Sequence, residues 1–364
     1  TAALSQAEEA LALSEPGTAA FFEAIGLAAS AAGGLGRREH VGVLADKLIA
    51  AWPEGRFDPA SALAAIRLAL NLYYHADRAR FVTVMSLLAV IASSITDDAI
   101  VARYEWVRAL GRVSESPFEY LRCMERAADA FDRCGHVRNA LNARVGAAFA
   151  LIMLGAYDRA RDELEALVPI ADRLDQRHLA ASARHNLGLA LLHLGELDRA
   201  HEIETSALKT FEALSESRMI GTTQAYLARI ERDRGAPERA RQHLQTGLAS
   251  VGPHYPWLPL LYAELSSVEL VLGDVRAALR AGREGLRALR RGGEGMQDDI
   301  GVLIQVSEAA SVAGRPNIAR WVATLTTRRL ALRAGQIDDP ALRASYLAVA
   351  EHRRVMSLAG SASR

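Results

Sequence analysis

Three histidines come closest to a metal-binding pattern in this sequence. His185, His193 and His201 recur at intervals of eight residues. Along one helix, successive side chains at that interval point roughly 80° apart, and Gly195 interrupts the segment between the last two. The ten histidines include no pair at the i, i+4 spacing of a helical metal site. The sequence therefore predicts no metal ion and no other cofactor.

Nucleophiles and phosphate-binding loops give equally little support for catalysis. Cys123 and Cys134 are the two cysteines, and their spacing matches neither a CxxC motif nor a disulfide framework. The glycine-rich stretch Gly33–Gly36 lacks the lysine and hydroxyl residue of a phosphate-binding loop, and is better interpreted as a helix–helix turn. With no GxSxG or HExxH motif either, the chain is predicted not to be an enzyme.

Arginine is the residue type with the clearest pattern of charge. Five arginines follow one another at alternating steps of four and three residues, which places them on one face of a single helix. They are Arg276, Arg280, Arg283, Arg287 and Arg290. Such a face is typical of a solvated surface, here partly neutralised by Glu284; an acidic or phosphate-bearing partner is the alternative.

The composition argues against two large classes of partner. The 364 residues include 43 Lys and Arg and 43 Asp and Glu, so the chain lacks the basic excess that draws proteins to nucleic acid or anionic membranes. The most apolar stretch, Val84 to Ile95, is too short to span a bilayer. Half of the residues are hydrophobic, as in a folded protein. The low cysteine content predicts a cytoplasmic location.

A repeat with a period of about forty residues runs through much of the sequence. A seven-residue segment with glycine in second place, such as LGELDRA at 194–200, occurs five times between amphipathic stretches. Its glycines lie 40, 40, 38 and 41 residues apart, at Gly155, Gly195, Gly235, Gly273 and Gly314. A glycine at this point can adopt the left-handed conformation that ends a helix, and the alanine that follows lets the next helix pack closely.

Extrapolation of this period toward the amino terminus predicts three further turns, near residues 115, 75 and 35. We therefore divide the chain into degenerate repeats at 1–115, clear repeats at 116–334 and a cap and tail at 335–364, all within one continuous array. No strand pattern is visible. The predicted fold is an all-α, right-handed superhelical solenoid of about eight antiparallel helix pairs, with a short helical cap that starts at Asp339 and Pro340.

The repeat resembles the tetratricopeptide repeat (TPR). In Ala181–Leu208 the residues at family positions include Asn186, Gly188, Gly195 and Ala200, although the period exceeds the usual 34 residues by about six. Units of this length resemble the helical-repeat segments of large bacterial signalling proteins. These include ATPases, kinases, cyclases and regulators of the maltose-activator type. The segment 336–354 is similar to the tails of bacterial kinases and cyclases.

The first helix of each pair lines the concave wall of such an array, which predicts where a ligand binds. The inward-facing candidates are Asn142, Phe149, His185, Asn186, Tyr226, Arg229 and Glu264. By resemblance, Asn186 corresponds to the family asparagine that hydrogen-bonds the backbone of an extended peptide. The groove is expected to centre on this residue.

Two hypotheses for the function remain open. In the first, the chain is the sensor or interaction segment of a bacterial signalling protein. It binds a protein, a peptide or a small-molecule effector, with an ATPase, kinase or cyclase module expected upstream of Thr1. In the second, it is a freestanding TPR adaptor that joins proteins or self-associates through the amphipathic segment 1–13. Both hypotheses predict binding rather than catalysis.

Overall fold

The computed structural model describes residues 2–53, 57–75, 77–113, 115–253, 255–292 and 299–360. These residues form nineteen α-helices and one 3-10 turn and contain no strand, so the predicted all-α fold is confirmed. The helices are α1 Ala2–Leu13, α2 Ala19–Gly34, α3 Arg38–Ala50, α4 Pro59–Tyr74, α5 Arg78–Ile91, α6 Asp98–Leu110, α7 Pro117–Arg133, α8 Val137–Met153, α9 Tyr157–Arg173, α10 Arg177–His193, α11 Leu197–Ala213, α12 Ser217–Asp233, α13 Pro237–Ser250, α14 Leu258–Val271, α15 Val275–Gly292, α16 Asp299–Val312, α17 Pro316–Gly335, α18 Pro340–Ala348 and α19 Ala350–Gly360.

The repeat is more regular than the forty-residue period indicates. Each helix from α7 to α12 has 17 residues and is joined to the next by a three-residue turn, so the chain reverses direction every twenty residues. The six residues beyond the usual TPR length therefore lie in longer helices. Two such helices and their turns make one forty-residue unit.

The turns share one hydrogen-bonding pattern. Gly195 has φ +81°, its N–H donates to the carbonyl of Leu192, and the N–H of Glu196 donates to the carbonyl of Leu191 at 2.9 Å. This is the Schellman arrangement, which satisfies the last carbonyls of the preceding helix. All five predicted turn glycines have φ between +69° and +81°, which confirms them as helix ends.

The chain divides into two compact units. The first comprises Thr1–Arg112 and Arg122–Ala143, and the second Val113–Leu121 and Arg144–Arg364. In the first unit, α2 packs against α1, α3 and α4, and α4 also packs against α5 and α6. Its core is built from buried apolar side chains of these helices, including Phe22, Ile25, Leu44 and Leu68.

In the second unit each helix from α9 to α17 packs against the next along the chain, and the even-numbered helices α10, α12, α14 and α16 also contact one another. The even-numbered helices are thus the first members of successive pairs. Ala160, Ala200, Ala240 and Ala278, predicted as close helix contacts, are all completely buried. In chain order, α2 to α17 make eight pairs, in agreement with the predicted number.

The turns in the first third of the chain and the helical cap after α17 were both predicted from the sequence. The turns extrapolated to the first third fall between α2 and α3, α4 and α5, and α6 and α7, although Ala76 and Ser114 lie outside the described residues. At the other end, Asp339 caps α18 by accepting from the N–H groups of Ala341 and Leu342, as predicted. A second helix, α19, follows. Across the described part of the chain, no helix has the length and apolarity needed to cross a membrane.

Candidate functional site

The even-numbered helices of the second unit present equivalent residues to one cavity. Counted from the turn glycine of each pair, the sixth residue back is Phe149 in α8, Leu189 in α10 and Arg229 in α12. All three line a cavity of about 240 Å³. The ninth residue back contributes Tyr226 from α12 and Glu264 from α14 to the same wall. We call these the sixth-back and ninth-back positions.

The cavity has an apolar end built around Phe149. The rings of Tyr120 and Trp257 both approach Phe149 edge-on, with centroids 6.5 and 6.2 Å away. Leu189 and Leu260 also line the cavity. Such a wall can bury an aliphatic or aromatic side chain of a ligand.

A ladder of charged side chains forms another part of the lining. Arg229 Nη2 donates to Glu351 Oε1 at 3.2 Å, and Arg229 Nε lies 3.3 Å from Glu264 Oε1. Arg232 Nη1 then donates to the second oxygen of Glu264 at 3.2 Å and to Ser267 Oγ at 2.8 Å. The ladder joins α12 and α14 to α19. Its members hold one another in place and leave both signs of charge at the cavity.

This environment lowers the pKa of both Glu351 and His193, which keeps the glutamate charged and the histidine neutral. Burial is the largest single influence on Glu351 and favours its protonated form, but the attraction of Arg229, Arg354 and other neighbouring groups together outweighs it, so the pKa of Glu351 is lowered. Burial, and then the positive charge of Arg229, lower the pKa of His193 to about 3. His193 therefore stays neutral at physiological pH, with its ring stacked on Tyr157 at a centroid distance of 4.4 Å.

His185, predicted to face the groove, is buried instead. It occupies the tenth-back position, whose equivalents Val145 and Ala225 are buried as well, because one residue further along a helix turns the side chain by about 100°. Its Nδ1 lies 3.0 Å from Glu204 Oε2 and 3.2 Å from Thr223 Oγ1. The ring stacks on the inner face of Tyr226 at 4.5 Å. His185 therefore packs against Tyr226, which lines the cavity.

The two predicted asparagines do not line the cavity. Asn186 is half-buried, and its Nδ2 donates to the carbonyl of Val145 at 3.3 Å, which links α10 to α8. Asn186, on which the groove was expected to centre, is not among the residues that line this cavity, whereas Tyr226 and Arg229 are. Asn142 belongs to the first unit, where its side chain is exposed.

The histidines, cysteines and stripe arginines, whose residue types could support chemistry, do not come together in one site among the described residues. Among the described residues, no group of three or more His, Cys, Asp or Glu side chains is arranged to hold a metal ion. Burial raises the pKa of Cys123 to about 12, so its thiol stays protonated. The arginine stripe lies exposed along α15, and Arg287 pairs with Glu284. That pairing is consistent with a solvated face.

One contributor to the site was not predicted from the sequence. The carboxyl-terminal segment also lines the cavity, although it lies far from helices α8 to α14 in the sequence. Its lining residues are Tyr346, Val349, Glu351 and His352. The sequence predicted only a cap for this segment. No spacing in the sequence indicates that it returns to the groove.

Comparison with known proteins adds information about the fold. No protein-family model matches the chain, and no match was found among curated proteins. A solved structure of a Rap protein complexed with Competence and Sporulation Factor aligns over 94% of this chain and 98% of its own, at 13% identity and a TM-score of 0.68. The chain therefore shares its fold, a TPR-like array of paired helices.

Two further structures align at lower scores. The apo form of RapI covers 90% of this chain and 93% of its own at 9% identity and a TM-score of 0.49. NprR in complex with its cognate peptide NprX covers 78% and 81% at 15% identity and a TM-score of 0.48.

Proposed function

We propose that this chain is a binding scaffold that recognises a peptide, or a peptide-like segment of a protein, in the cavity of its second unit. In this role it acts as the sensor or interaction segment of a bacterial signalling or regulatory system. The observation that carries the proposal is the cavity itself. Equivalent positions of successive helices supply Phe149, Leu189 and Arg229, and Arg229 belongs to a ladder of four charged side chains that Glu264, Arg232 and Glu351 of α19 complete.

The lining favours a peptide over the other candidate ligands. An apolar pocket around Phe149 suits one or two hydrophobic side chains, while Arg229 and Glu264 suit charged or amide groups a few ångströms away. Stacked helix pairs use this kind of inner wall for extended ligands. The Rap protein of the same fold was solved with Competence and Sporulation Factor bound, and this supports a ligand-binding role by analogy.

A selection experiment tests the proposal even though the natural ligand is unidentified. Random heptapeptides displayed on phage are selected against the whole chain, and the recovered peptides are synthesised with a fluorescent label. Their dissociation constants are then measured by anisotropy on the parent chain and on Phe149→Ala. We expect at least about a ten-fold loss of affinity in this variant, because truncation of an aromatic anchor in a buried pocket typically costs more than 1 kcal/mol.

Tyr262→Ala is the matched control. Tyr262 is also a half-buried aromatic residue on an even-numbered helix of the second unit, but it lies against Gly285 of α15 and does not line the cavity. Peptide affinity should stay within about two-fold of the parent. Failure to recover any binding peptide, or equal losses in both variants, would argue against the cavity as the ligand site.

A further inference from the structure

The carboxyl-terminal helices bend back across the cavity of the second unit. Helix α18 ends at Ala348 and α19 begins at Ala350, and Val349 between them has an extended ψ of 129° that breaks the helical path. We call the segment Ser345–Glu351 the elbow. Helix α19 packs against α16 and α17, whereas the elbow reaches helices at the opposite end of the unit's sequence.

Two contacts hold the elbow in the groove. The carboxylate of Glu351 accepts from Arg229 Nη2 at 3.2 Å, across 122 residues of sequence. At the turn between α8 and α9, a Cβ on Gly155 would lie 2.6 Å from the carbonyl oxygen of Ser345 and 3.0 Å from a methyl group of Val349. The elbow thus makes close van der Waals contact with that turn.

The residues that directly follow the elbow hold it in shape. His352 Nδ1 donates to the carbonyl of Tyr346 at 2.8 Å, and the two rings meet edge-on at 4.7 Å. Arg354 lies 3.2 Å from Glu308, the sixth-back residue of α16. A short, preorganised segment of the chain therefore already occupies part of the groove.

The elbow borders two cavities. One is the cavity described above, and the other, of about 450 Å³, lies beside the turn at Gly155. Both are lined by Tyr157, His193, Arg229, Val349 and Glu351. If the elbow moved away, the two spaces would join into one longer groove along α8, α10 and α12, which is the shape an extended peptide needs.

We propose that the elbow is a built-in surrogate for the ligand, and that the ligand is a peptide with an apolar residue two positions before a carboxylate side chain, as Val349 precedes Glu351. The ligand carboxylate takes the place of Glu351 on Arg229, and the apolar residue takes the place of Val349 on Gly155. This inference rests on the proposed function and specifies its ligand class. Binding then requires that the elbow be displaced.

The energetics of such a device set its expected behaviour. A tethered segment competes with an effective concentration on the order of millimolar, so a free ligand of moderate affinity is held off until the tether contact weakens. The ion pair is the replaceable part, because the Glu351 side chain retains 28% of its exposure. Loss of this single charge should open the groove without disturbing the core.

The test uses a synthetic peptide with the sequence of residues 345–354, SYLAVAEHRR, acetylated and amidated at its ends. Its affinity is measured by anisotropy on the full chain and on the full-chain variant Glu351→Gln. We expect the variant to bind the peptide at least ten-fold more tightly than the parent chain does. A peptide in which Gln replaces its single Glu should lose at least ten-fold on the same variant.

Glu202→Gln is the control, because Glu202 is an exposed carboxylate of α11 outside both cavities. It should bind the peptide as the parent does. Equal affinity of the parent and Glu351→Gln, no binding to the variant at millimolar peptide, or indifference to the Glu-to-Gln change would each overturn the surrogate proposal. If selected heptapeptides still bind and depend on Phe149, the proposed function survives that result.

Discussion

At the scale of single residues, one position in the repeat changes its chemistry along the groove. The sixth-back position holds Phe149, then Leu189, Arg229, Ser267 and finally Glu308. The scaffold therefore presents an apolar surface in its earlier helices and charged groups in its later ones. A ligand that spans this wall must itself pass from apolar to charged.

The pH dependence of stability follows from His193. In the folded chain its pKa is about 3, against an ordinary value of 6.5, because burial and Arg229 disfavour the imidazolium. Between these pH values the unfolded chain binds the additional proton, so the free energy of unfolding decreases as the pH falls. The contribution is up to about 1.4 kcal/mol per pH unit.

His193→Phe should remove this contribution while keeping an aromatic ring against Tyr157. Urea unfolding of the parent and the variant at several pH values between 6 and 4 gives the two slopes, and the parent slope should be the steeper. The lowered pKa values of His243 and His352 contribute to both proteins and cancel in the comparison. Parallel slopes would show that His193 is protonated normally in the folded chain.

The helical register of the sequence led to several of the residues that line the cavity. Phe149, Tyr226, Arg229 and Glu264 were chosen from the helical register and do line the cavity. His185 was wrongly assigned, because a register known only to within one residue cannot distinguish a groove-facing position from its buried neighbour. The side chains of the elbow could not be found in this way, since their approach depends on the path of the chain after α17.

At the scale of the elements, the turns explain why the repeat was visible in the sequence and why its half-period was not. Glycine at φ > 0 marks the turns within pairs, and this was visible from the sequence. The intervening turn between α7 and α8 also has a glycine, Gly135 at φ +74°, but the next two reach the same conformation with Asp175 at φ +51° and Ser215 at φ +56°. Because neither residue type signals a left-handed turn strongly, the twenty-residue half-period stayed hidden.

Ser215 offers a direct test of this turn geometry. A non-glycine residue in the left-handed region carries strain, and the exposed Ser215 has no compensating packing role. Ser215→Gly should therefore raise the free energy of unfolding, by at most about 1 kcal/mol, since glycine also gains entropy in the unfolded chain. Chemical denaturation of the parent and the variant measures the difference.

Gly235→Ser is the reciprocal change at an equivalent turn. Gly235 has φ +80°, and a Cβ there would meet no atom within 4 Å, so only backbone strain is added. This variant should be destabilised by about 1 kcal/mol. A stabilised Gly235→Ser, or a Ser215→Gly that loses stability, would show that the left-handed turn does not govern these helix ends.

The elbow shows why a helix boundary predicted from the sequence does not reveal which distant residues the segment contacts. Asp339 and Pro340 predicted the start of α18 from their capping chemistry, which is local. The end of α18 at Val349 lacks a glycine or proline signal. Its conformation is held by distant contacts, with Arg229 and with the turn at Gly155.

At the scale of the whole molecule, the chain's balanced charge is matched by internal pairing. Acidic and basic residues are equal in number, and many arginines meet a carboxylate, as Arg80 meets Asp46 in the first unit and Arg241 meets Glu269 in the second. The repeated helices thus form a neutral framework. We therefore propose that ligand binding resides in the lined cavity of the second unit rather than on a charged surface.

Photocrosslinking tests most directly whether that cavity is where a ligand binds. A selected peptide carrying benzoylphenylalanine at its apolar position is irradiated with the full chain, and the modified residues are identified by mass spectrometry. We expect adducts at the apolar end, on Phe149, Trp257 or Leu260, and excess unlabelled peptide should suppress them. Adducts confined to the exposed arginine face of α15 or to the first unit would contradict it.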